Sequence, residues 1–232
     1  MIPPRSQAWL RFFRWVARRR IRAGLDGVYV AGLEDLKRYS ASEPLIFAAN
    51  HVAYWDALLL LLLDEAIGGS GFVLMDAENL KRFSFFGRIG ALPIDRTSPR
   101  AALASLRTAA TALEHPGDGL WFFPQGRYRL THRPLQLQRG IEHLIAMAKV
   151  RVVPVSIAYA FHEAPTPRAA VVFGEPLTFE DRGVLSPLER ALADGLERTD
   201  RFFEGKEDFT PLLVPKTASV GLATRLLNWW TA

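Results

Sequence analysis

Cysteine is absent from the 232-residue chain, which excludes disulfides, a thiol nucleophile and thiolate metal ligands. The most apolar run, 57–63, is far shorter than the about 20 residues that a membrane-spanning helix needs. The Gly-x-Ser-x-Gly elbow of serine hydrolases is missing, and the five histidines lack the paired spacing of zinc enzymes. The first residues also lack the apolar core and cleavage site of a signal peptide. We therefore expect a protein of the cytoplasm or of its membrane face.

Acidic residues are missing from positions 1–25, although this segment contains many arginines and the chain has a formal net charge of +5. The spacing of residues 6–23 predicts a helix with an apolar side and a basic side. The apolar side has Trp9, Phe12, Phe13, Val16 and Ala17, and the basic side has Arg11, Arg14, Arg18 and Arg22. This pattern is typical of a helix that lies in a lipid headgroup region, or of an amphipathic helix packed on the domain. The basic end favours an anionic partner, a membrane surface or a nucleic acid, and we expect the membrane.

Apolar segments of strand length alternate with helical segments along the rest of the chain. The predicted strands are 28–30, 45–49, 72–75, 120–123, 151–159 and 169–173, and the predicted helices are 57–66, 79–86, 99–113, 140–149, 186–203 and 219–230. The alternation predicts an α/β fold with a largely parallel central sheet flanked by helices. The expected organisation is an amphipathic membrane-interface helix over 1–24, followed by a single α/β domain over 25–232.

His51 and Asp56 lie between a predicted buried strand and a predicted helix. On one regular helix the two side chains would point about 140° apart. With His51 still in the turn and Asp56 entering the helix, the carboxylate has room to reach the imidazole. A carboxylate on one ring nitrogen orients the ring and leaves the other nitrogen to accept a proton from an alcohol. The alternative is an aspartate that caps the helix beside an unrelated histidine.

Polar residues also follow two other predicted strands, at Asp95-Arg96 and from Gln125 to Arg129. Because sites in parallel sheets form beyond the carboxyl ends of the strands, we expect these clusters to lie near His51 and Asp56.

Four short segments follow one another along the chain. They are Asn50-His51 with Asp56 after four further residues, Gly90 to Arg96, Phe123-Pro124-Gln125-Gly126, and Val152-Val153-Pro154-Val155. Together they resemble the four motifs of the glycerophospholipid acyltransferase family, whose bacterial members include 1-acylglycerol-3-phosphate acyltransferases. The resemblance covers residues 28–175. It implies an O-acyltransferase of phospholipid synthesis. Together with the basic amphipathic end and the lack of a membrane span, we expect it to bind peripherally to the cytoplasmic face of the membrane.

The resemblance also implies a mechanism without a covalent intermediate. His51, oriented by Asp56, would take the proton of an acceptor hydroxyl, and the oxygen would attack the thioester of acyl-CoA or of an acyl carrier protein. Backbone N–H groups around Gly126 would stabilise the oxyanion, and no cofactor or metal is expected besides the acyl donor. The substrate-binding residues would be Asn50, Arg96, Gln125, Gly126, Arg127 and Arg129, with the arginines suited to hold the phosphate of 1-acylglycerol-3-phosphate.

Two departures from the family pattern affect the acceptor. The third motif has Gln125 where Glu is common, followed by Arg127-Tyr128-Arg129 where Thr-Arg is expected, and Asp76 and Glu78 lie where the family often has a lysine. An acceptor without phosphate, such as a glycolipid or a lyso-aminolipid, therefore stays open. A catalytically inactive lipid-binding relative is disfavoured by the intact His51 and Asp56, and a basic nucleic-acid-binding protein is disfavoured because no recognition motif follows the basic end.

Overall fold

A computed structural model describes residues 2, 4–131, 133–162, 164–179 and 183–214. The helices in these ranges are α1 (Gln7–Gly24), α2 (Leu33–Ser42), α3 (Trp55–Ile67), α4 (Ala77–Arg82), α5 (Pro99–Ala110), α6 (Gly140–Ala148) and α7 (Leu185–Phe203), with a 3₁₀ helix over Ser84–Ile89. The strands are β1 (Val28–Ala31), β2 (Leu45–Ala49), β3 (Ser70–Asp76), β4 (Ala91–Ile94), β5 (Asp118–Phe122), β6 (Arg151–Ala160), β7 (Arg168–Phe173) and β8 (Thr210–Leu213). The predicted helix over 219–230 lies outside the described residues.

Most predicted elements are present, and the differences have local causes. The predicted helix over 79–86 is two elements, because Phe83 has an extended φ of −124° that separates α4 from the 3₁₀ helix. The sequence patterns did not predict α2, which is mostly polar, or β8, which is short and half exposed. Helix α5 begins at Pro99, the first residue of the predicted helix, and the Ser98 hydroxyl caps it by accepting the Ala101 N–H.

All eight strands belong to one sheet, in the order β4-β3-β5-β2-β6-β7-β1-β8. The first five strands of this order are parallel, and β7 is parallel to β1. Only the pairs β6–β7 and β1–β8 are antiparallel in the described residues. The predicted α/β fold with a largely parallel sheet is therefore confirmed. Because β2 lies between β5 and β6, the segments that follow these three strands meet at one edge of the sheet.

Helices cover both faces of the sheet. All five residues of β2 are buried, as expected for a parallel strand with a helix layer on each side. Side chains alternate along the strand, so Phe47 packs in the core formed with α1, α2 and α3. Ile46 and Ala48 point to the other side, into the core formed with α5, α6 and α7. His51 thus follows a strand that is held rigidly in the middle of a three-layer structure.

Helix α1 packs against α3 through Ala17 and Ile21, which belong to the main core. Two of its arginines also face the domain. Arg14 lies 3.0 Å from the Asp64 carboxylate, and Arg18 lies 2.6 Å from that of Glu65. The side of α1 that contains the arginines is therefore partly turned to the domain, because acidic residues of α3 bind Arg14 and Arg18. No helix of the described residues is long and apolar enough to cross a bilayer.

Candidate active site

The chain leaves β2 at Asn50, whose side chain continues the pairing of β2 with β6. The Asn50 amide oxygen accepts the N–H of Ile157 at 2.6 Å, and its amide nitrogen donates to the carbonyl of the same residue at 2.8 Å. The side chain is 1% exposed. Both ends of its amide are therefore bound to the backbone of β6, and the residue holds the following turn against the sheet. The substrate-binding role of Asn50 stays a prediction.

His51 and Asp56 form the predicted pair. The His51 Nδ1 lies 2.7 Å from the Asp56 Oδ2, with His51 in the turn and Asp56 in the first turn of α3. The carboxylate is fully buried, and it points back to the turn rather than along α3, since its Oδ2 also accepts the N–H groups of Val52 and Ala53 at 2.8 and 3.0 Å. Because the Asp56 Oδ2 accepts hydrogen bonds, the proton of the pair lies on the His51 Nδ1. The His51 Nε2 is then the nitrogen with a free lone pair.

Tyr159 completes the surroundings of Asp56. Its hydroxyl, at the end of β6, donates to the Asp56 Oδ1 at 2.8 Å. Burial, and then the charge of Asp56 together with this hydrogen bond, raise the pKa of Tyr159 well above its ordinary value, so the hydroxyl keeps the proton that it donates. The sequence patterns did not identify Tyr159. The available signal was a polar group near the end of a long apolar strand, but its partner becomes evident only from the pairing of β6 with β2.

Gln125 lies under His51 and is 3% exposed. Its Oε1 accepts the backbone N–H of His51 at 2.6 Å, and its Nε2 donates to the carbonyl of Leu135 at 3.1 Å. Both ends of the side chain thus bind the backbone, and the substrate-binding role of Gln125 stays a prediction. The two partners also explain the departure from the family motif. The carbonyl oxygen of Leu135 needs a hydrogen-bond donor. The amide of a glutamine has one, whereas the ionised carboxylate of a glutamate has none.

Gly126 turns the chain back towards His51 with a left-handed φ of +68°. Its N–H donates to the carbonyl of Phe123 at 2.9 Å, and its carbonyl accepts a bond from the Arg96 guanidinium at 2.6 Å. The N–H of Gly126 itself is therefore occupied. The next two N–H groups, those of Arg127 and Tyr128, have no hydrogen-bond partner among the described residues.

The three predicted arginines differ in their contacts and exposure. Arg96 reaches Gly126, and the Arg129 N–H donates to the carbonyl of His51 at 2.8 Å. Arg127 is exposed, whereas Arg129 is partly buried and its Nε–H has no partner in the part of the chain that the structure describes. None of the three forms an ion pair with a described carboxylate. The site therefore has positive charge that the described acidic residues do not neutralise.

The acidic residues near these arginines are engaged locally. The Asp76 carboxylate accepts the N–H groups of Glu78 and Asn79, at the start of α4. Asp95 accepts the hydroxyl and the N–H of Thr97, and these bonds, with a smaller contribution from Lys81, lower the pKa of Asp95. Each carboxylate thus has partners of its own.

Two aromatic rings lie against the His51 imidazole. The Phe123 ring is stacked at 4.0 Å between centroids with an angle of 21°, and the Tyr128 ring lies at 3.9 Å with an angle of 31°. Phe123 is the last residue before the turn that follows β5, whereas Tyr128 is an exposed residue of that loop. The histidine is thus held at its Nδ1, at its backbone and at the flat sides of its ring.

Comparisons with known proteins agree with this geometry. The sequence model of the Acyltransferase family matches residues 27–158. The 1-acyl-sn-glycerol-3-phosphate acyltransferase of Cocos nucifera is 27% identical over 114 residues, which are 47% of this chain and 36% of that protein. A chloroplastic 1-acyl-sn-glycerol-3-phosphate acyltransferase of Arabidopsis thaliana is 25% identical over 134 residues, which are 56% of this chain and 35% of that protein. The chain thus matches about a third of the length of these curated relatives.

A solved structure has the same fold. The 1-acyl-sn-glycerophosphate acyltransferase of Thermotoga maritima superposes with a TM-score of 0.61 at 16% identity, and the match covers 86% of this chain and 81% of that one. The family match spans the strands and turns that carry His51, Asp56 and Gln125 and extends over more than half of the sequence. On these grounds the chain belongs to the Acyltransferase family.

Proposed function

We propose that this protein transfers a fatty acyl group from a thioester, acyl-CoA or acyl carrier protein, to the hydroxyl of 1-acylglycerol-3-phosphate. The observation that carries the proposal is the buried Asp56 carboxylate on the Nδ1 of His51, which leaves Nε2 as the base at the carboxyl edge of the sheet. The family match and the names of the plant relatives support the reaction class.

The reaction needs one proton carrier. The His51 Nε2 takes the proton of the acceptor hydroxyl while the oxygen forms a bond to the thioester carbonyl carbon. The tetrahedral intermediate then breaks its C–S bond, and the thiolate receives the proton from His51. The products are the acylated acceptor and the free thiol, and the base returns to its starting state. Asp56 stabilises the imidazolium between these two steps and keeps its tautomer correct.

The oxyanion of the intermediate requires hydrogen-bond donors that are already oriented. The sequence pointed to the backbone around Gly126, but the N–H of that residue is bound to Phe123. The N–H groups of Arg127 and Tyr128, next along the same turn, have no described partner. We assign the oxyanion to these two groups, since the loop that contains them returns to His51 at Arg129.

The arginines suit an acceptor with a phosphate. A guanidinium binds two phosphate oxygens at once, and Arg96, Arg127 and Arg129 have no described carboxylate partner. The buried Nε–H of Arg129 has no partner among the described residues, a costly state that a bound anion would relieve. Asp76 does not oppose this assignment, because its carboxylate is bound at the start of α4.

The test is an acylation assay with a panel of acceptors and both donors. We expect 1-acylglycerol-3-phosphate to be acylated in preference to a lysoglycolipid or a lyso-aminolipid, and His51→Ala to abolish the transfer. Arg96→Ala should lower kcat/KM for the phosphate acceptor roughly 10- to 100-fold, as for a charged hydrogen bond. Arg107→Ala, an exposed arginine in the last turn of α5, is the matched control and should have no effect. An enzyme that acylates only the phosphate-free acceptors would refute the phosphate assignment and leave His51 as the base.

The surface of α1 supports association with an anionic membrane. Phe12 and Trp15 are 50% and 57% exposed, and Trp9 and Phe83 are also exposed and are approached by the guanidinium groups of Arg88 and Arg82. These four rings, Trp9, Phe12, Trp15 and Phe83, form the aromatic patch. The patch is continuous, because Phe13 stacks on both Trp9 and Phe85 and joins α1 to the 3₁₀ helix. Exposed rings flanked by arginines are typical of surfaces that enter the headgroup region of a bilayer.

Deleting α1 would not test this surface, since Ala17 and Ile21 belong to the core. We instead expect Phe12→Ser with Trp15→Ser to release the protein from vesicles of phosphatidylglycerol and phosphatidylcholine in a flotation assay, and salt to weaken the binding of the unmodified protein. Val214→Ser, which removes an exposed apolar side chain beyond β8, is the control. Unchanged flotation of the double variant would place the contact elsewhere, and a gel shift with nucleic acid at the same salt concentration tests the competing partner.

A further inference from the structure

The stacking of Phe123 and Tyr128 on His51 has a geometric consequence. Each ring lies about 4 Å from the imidazole centroid with a small interplanar angle. Two such rings would overlap if they shared one face of the imidazole, so they cover opposite faces. The edge with Nδ1 is turned to Asp56. The solvent-accessible part of the ring is therefore the remaining edge, which contains Nε2.

The position of Tyr128 is set by the backbone around it. The left-handed Gly126 reverses the loop, and the bond from the Arg129 N–H to the His51 carbonyl ties the loop to the turn. Tyr128 lies between these two fixed points, so its ring rests on the imidazole although the side chain is 58% exposed. An exposed tyrosine that only bordered the site would not need this contact with the histidine.

We propose that Tyr128 is a positioning residue that holds the plane of His51 and stabilises its charged form. The proposal rests on the proposed function, in which His51 becomes an imidazolium after it takes the acceptor proton. The negative face of an aromatic ring attracts a cation, and the neutral imidazole gains less from the same contact. The ring of Tyr128 thus favours the intermediate over the ground state, which raises kcat rather than tightening substrate binding.

The experiment compares Tyr128→Phe, Tyr128→Leu and the unmodified enzyme in steady-state assays on the acceptor that the enzyme prefers. Leu keeps an apolar cover on the imidazole but has no π face, and Phe keeps the ring without the hydroxyl. We expect Tyr128→Leu to lower kcat roughly 5- to 30-fold with KM unchanged, the range of a partly exposed cation–π contact, and Tyr128→Phe to retain the rate. Because Tyr128 is exposed, neither change should lower the melting temperature.

Phe161→Leu is the matched control, since it removes an exposed aromatic ring just beyond β6 that makes no described contact with His51. It should leave kcat unchanged. The proposal is overturned if Tyr128→Leu has the rate of the unmodified enzyme, if Tyr128→Phe is impaired as much as Tyr128→Leu, or if only KM changes. Equal impairment of Tyr128→Phe and Tyr128→Leu would assign the effect to the hydroxyl. A change in KM alone would make Tyr128 a substrate contact.

A second readout separates this proposal from the proposed function. Protons of a ring stacked between two aromatic rings resonate upfield, so the His51 signals should move downfield in Tyr128→Leu and stay in place in Tyr128→Phe. If the protein acylates no lysolipid but the His51 signals shift as expected, the proposed function is refuted while the stacking of Tyr128 on His51 is confirmed. Unchanged His51 signals in Tyr128→Leu would refute the stacking itself.

Discussion

Replacing Gln125 by Glu tests why this chain has an amide where its family commonly has a carboxylate. The side chain bridges two backbone groups of opposite kind, accepting from the His51 N–H at 2.6 Å and donating to the Leu135 carbonyl at 3.1 Å. A glutamate keeps the first bond. Its second oxygen then faces the oxygen of Leu135, and two acceptors form no hydrogen bond. The substitution that matches the family pattern should therefore destabilise this protein.

The size of the effect depends on pH. A glutamic acid at this buried position is favoured when it is protonated, because it then donates to Leu135, so its folded-state pKa rises above the unfolded value of about 4.3. A raised folded-state pKa means that stability is retained below the unfolded pKa and is lost as the pH rises through the folded one. A rise of about two units, moderate for a buried carboxyl, lowers the free energy of unfolding by about 1 kcal/mol at pH 5 and about 3 kcal/mol at pH 8.

Urea unfolding of Gln125→Glu, Gln125→Met and the unmodified protein at pH 5 and pH 8 measures these values. Gln125→Met keeps the size of the side chain and removes both hydrogen bonds, so its loss of stability should be independent of pH. Two results would refute the reasoning. One is a Gln125→Glu variant as stable as the unmodified protein at pH 8, and the other is a loss that does not grow between pH 5 and pH 8.

Three further substitutions test the tethers of the site. Asp56→Asn should lower kcat by about 10⁴ in the acylation assay, since His51 loses its orienting carboxylate; a loss below tenfold would contradict the pairing. Tyr159→Phe should reduce the free energy of unfolding by about 1.5–3 kcal/mol in urea but kcat less than tenfold, because the other carboxylate oxygen keeps its donors. Asn50→Ala should cost about 2–4 kcal/mol in the same unfolding measurement, because it strips both partners from the backbone of Ile157, and an unchanged midpoint would disprove that role.

Local patterns in the sequence were sufficient for the centre of the site. Five apolar residues, a polar turn and an apolar helix predicted that His51 and Asp56 lie at a strand-to-helix junction, and the structure has β2, the turn and α3 there. The spacing of four residues is short enough for the carboxylate to turn back without help from the rest of the fold. Pro99 likewise marked the start of α5, because the fixed φ of proline suits the first turn of a helix and needs no distant partner.

Roles that depend on distant partners were not predictable in this way. Asn50 and Gln125 are polar residues near the proposed catalytic histidine in the sequence motifs, and their sequence neighbours suggest contact with substrate. Their actual partners are Ile157 and Leu135, which become neighbours only when the strands assume their order. The same holds for Arg14, whose partner Asp64 is 50 residues away. A helical pattern identifies which residues share a side, but not which side faces the domain.

The pair of His51 and Asp56, which we propose to be catalytic, is held by groups from both strands that flank β2. Gln125 follows β5 and binds the backbone of His51, while Tyr159 lies on β6 and binds the carboxylate of Asp56. The central strand of a sheet covered on both faces has little freedom to move, so the geometry of base and carboxylate exists before a substrate arrives. Substitutions at these tethers should therefore change stability along with rate. Arg96 and Arg127 are exposed, and neither is bound to a carboxylate among the described residues, so Arg96→Ala should change the binding of the acceptor. Because Arg96 is exposed, the loss of its bond to the Gly126 carbonyl should lower the free energy of unfolding by no more than about 1 kcal/mol.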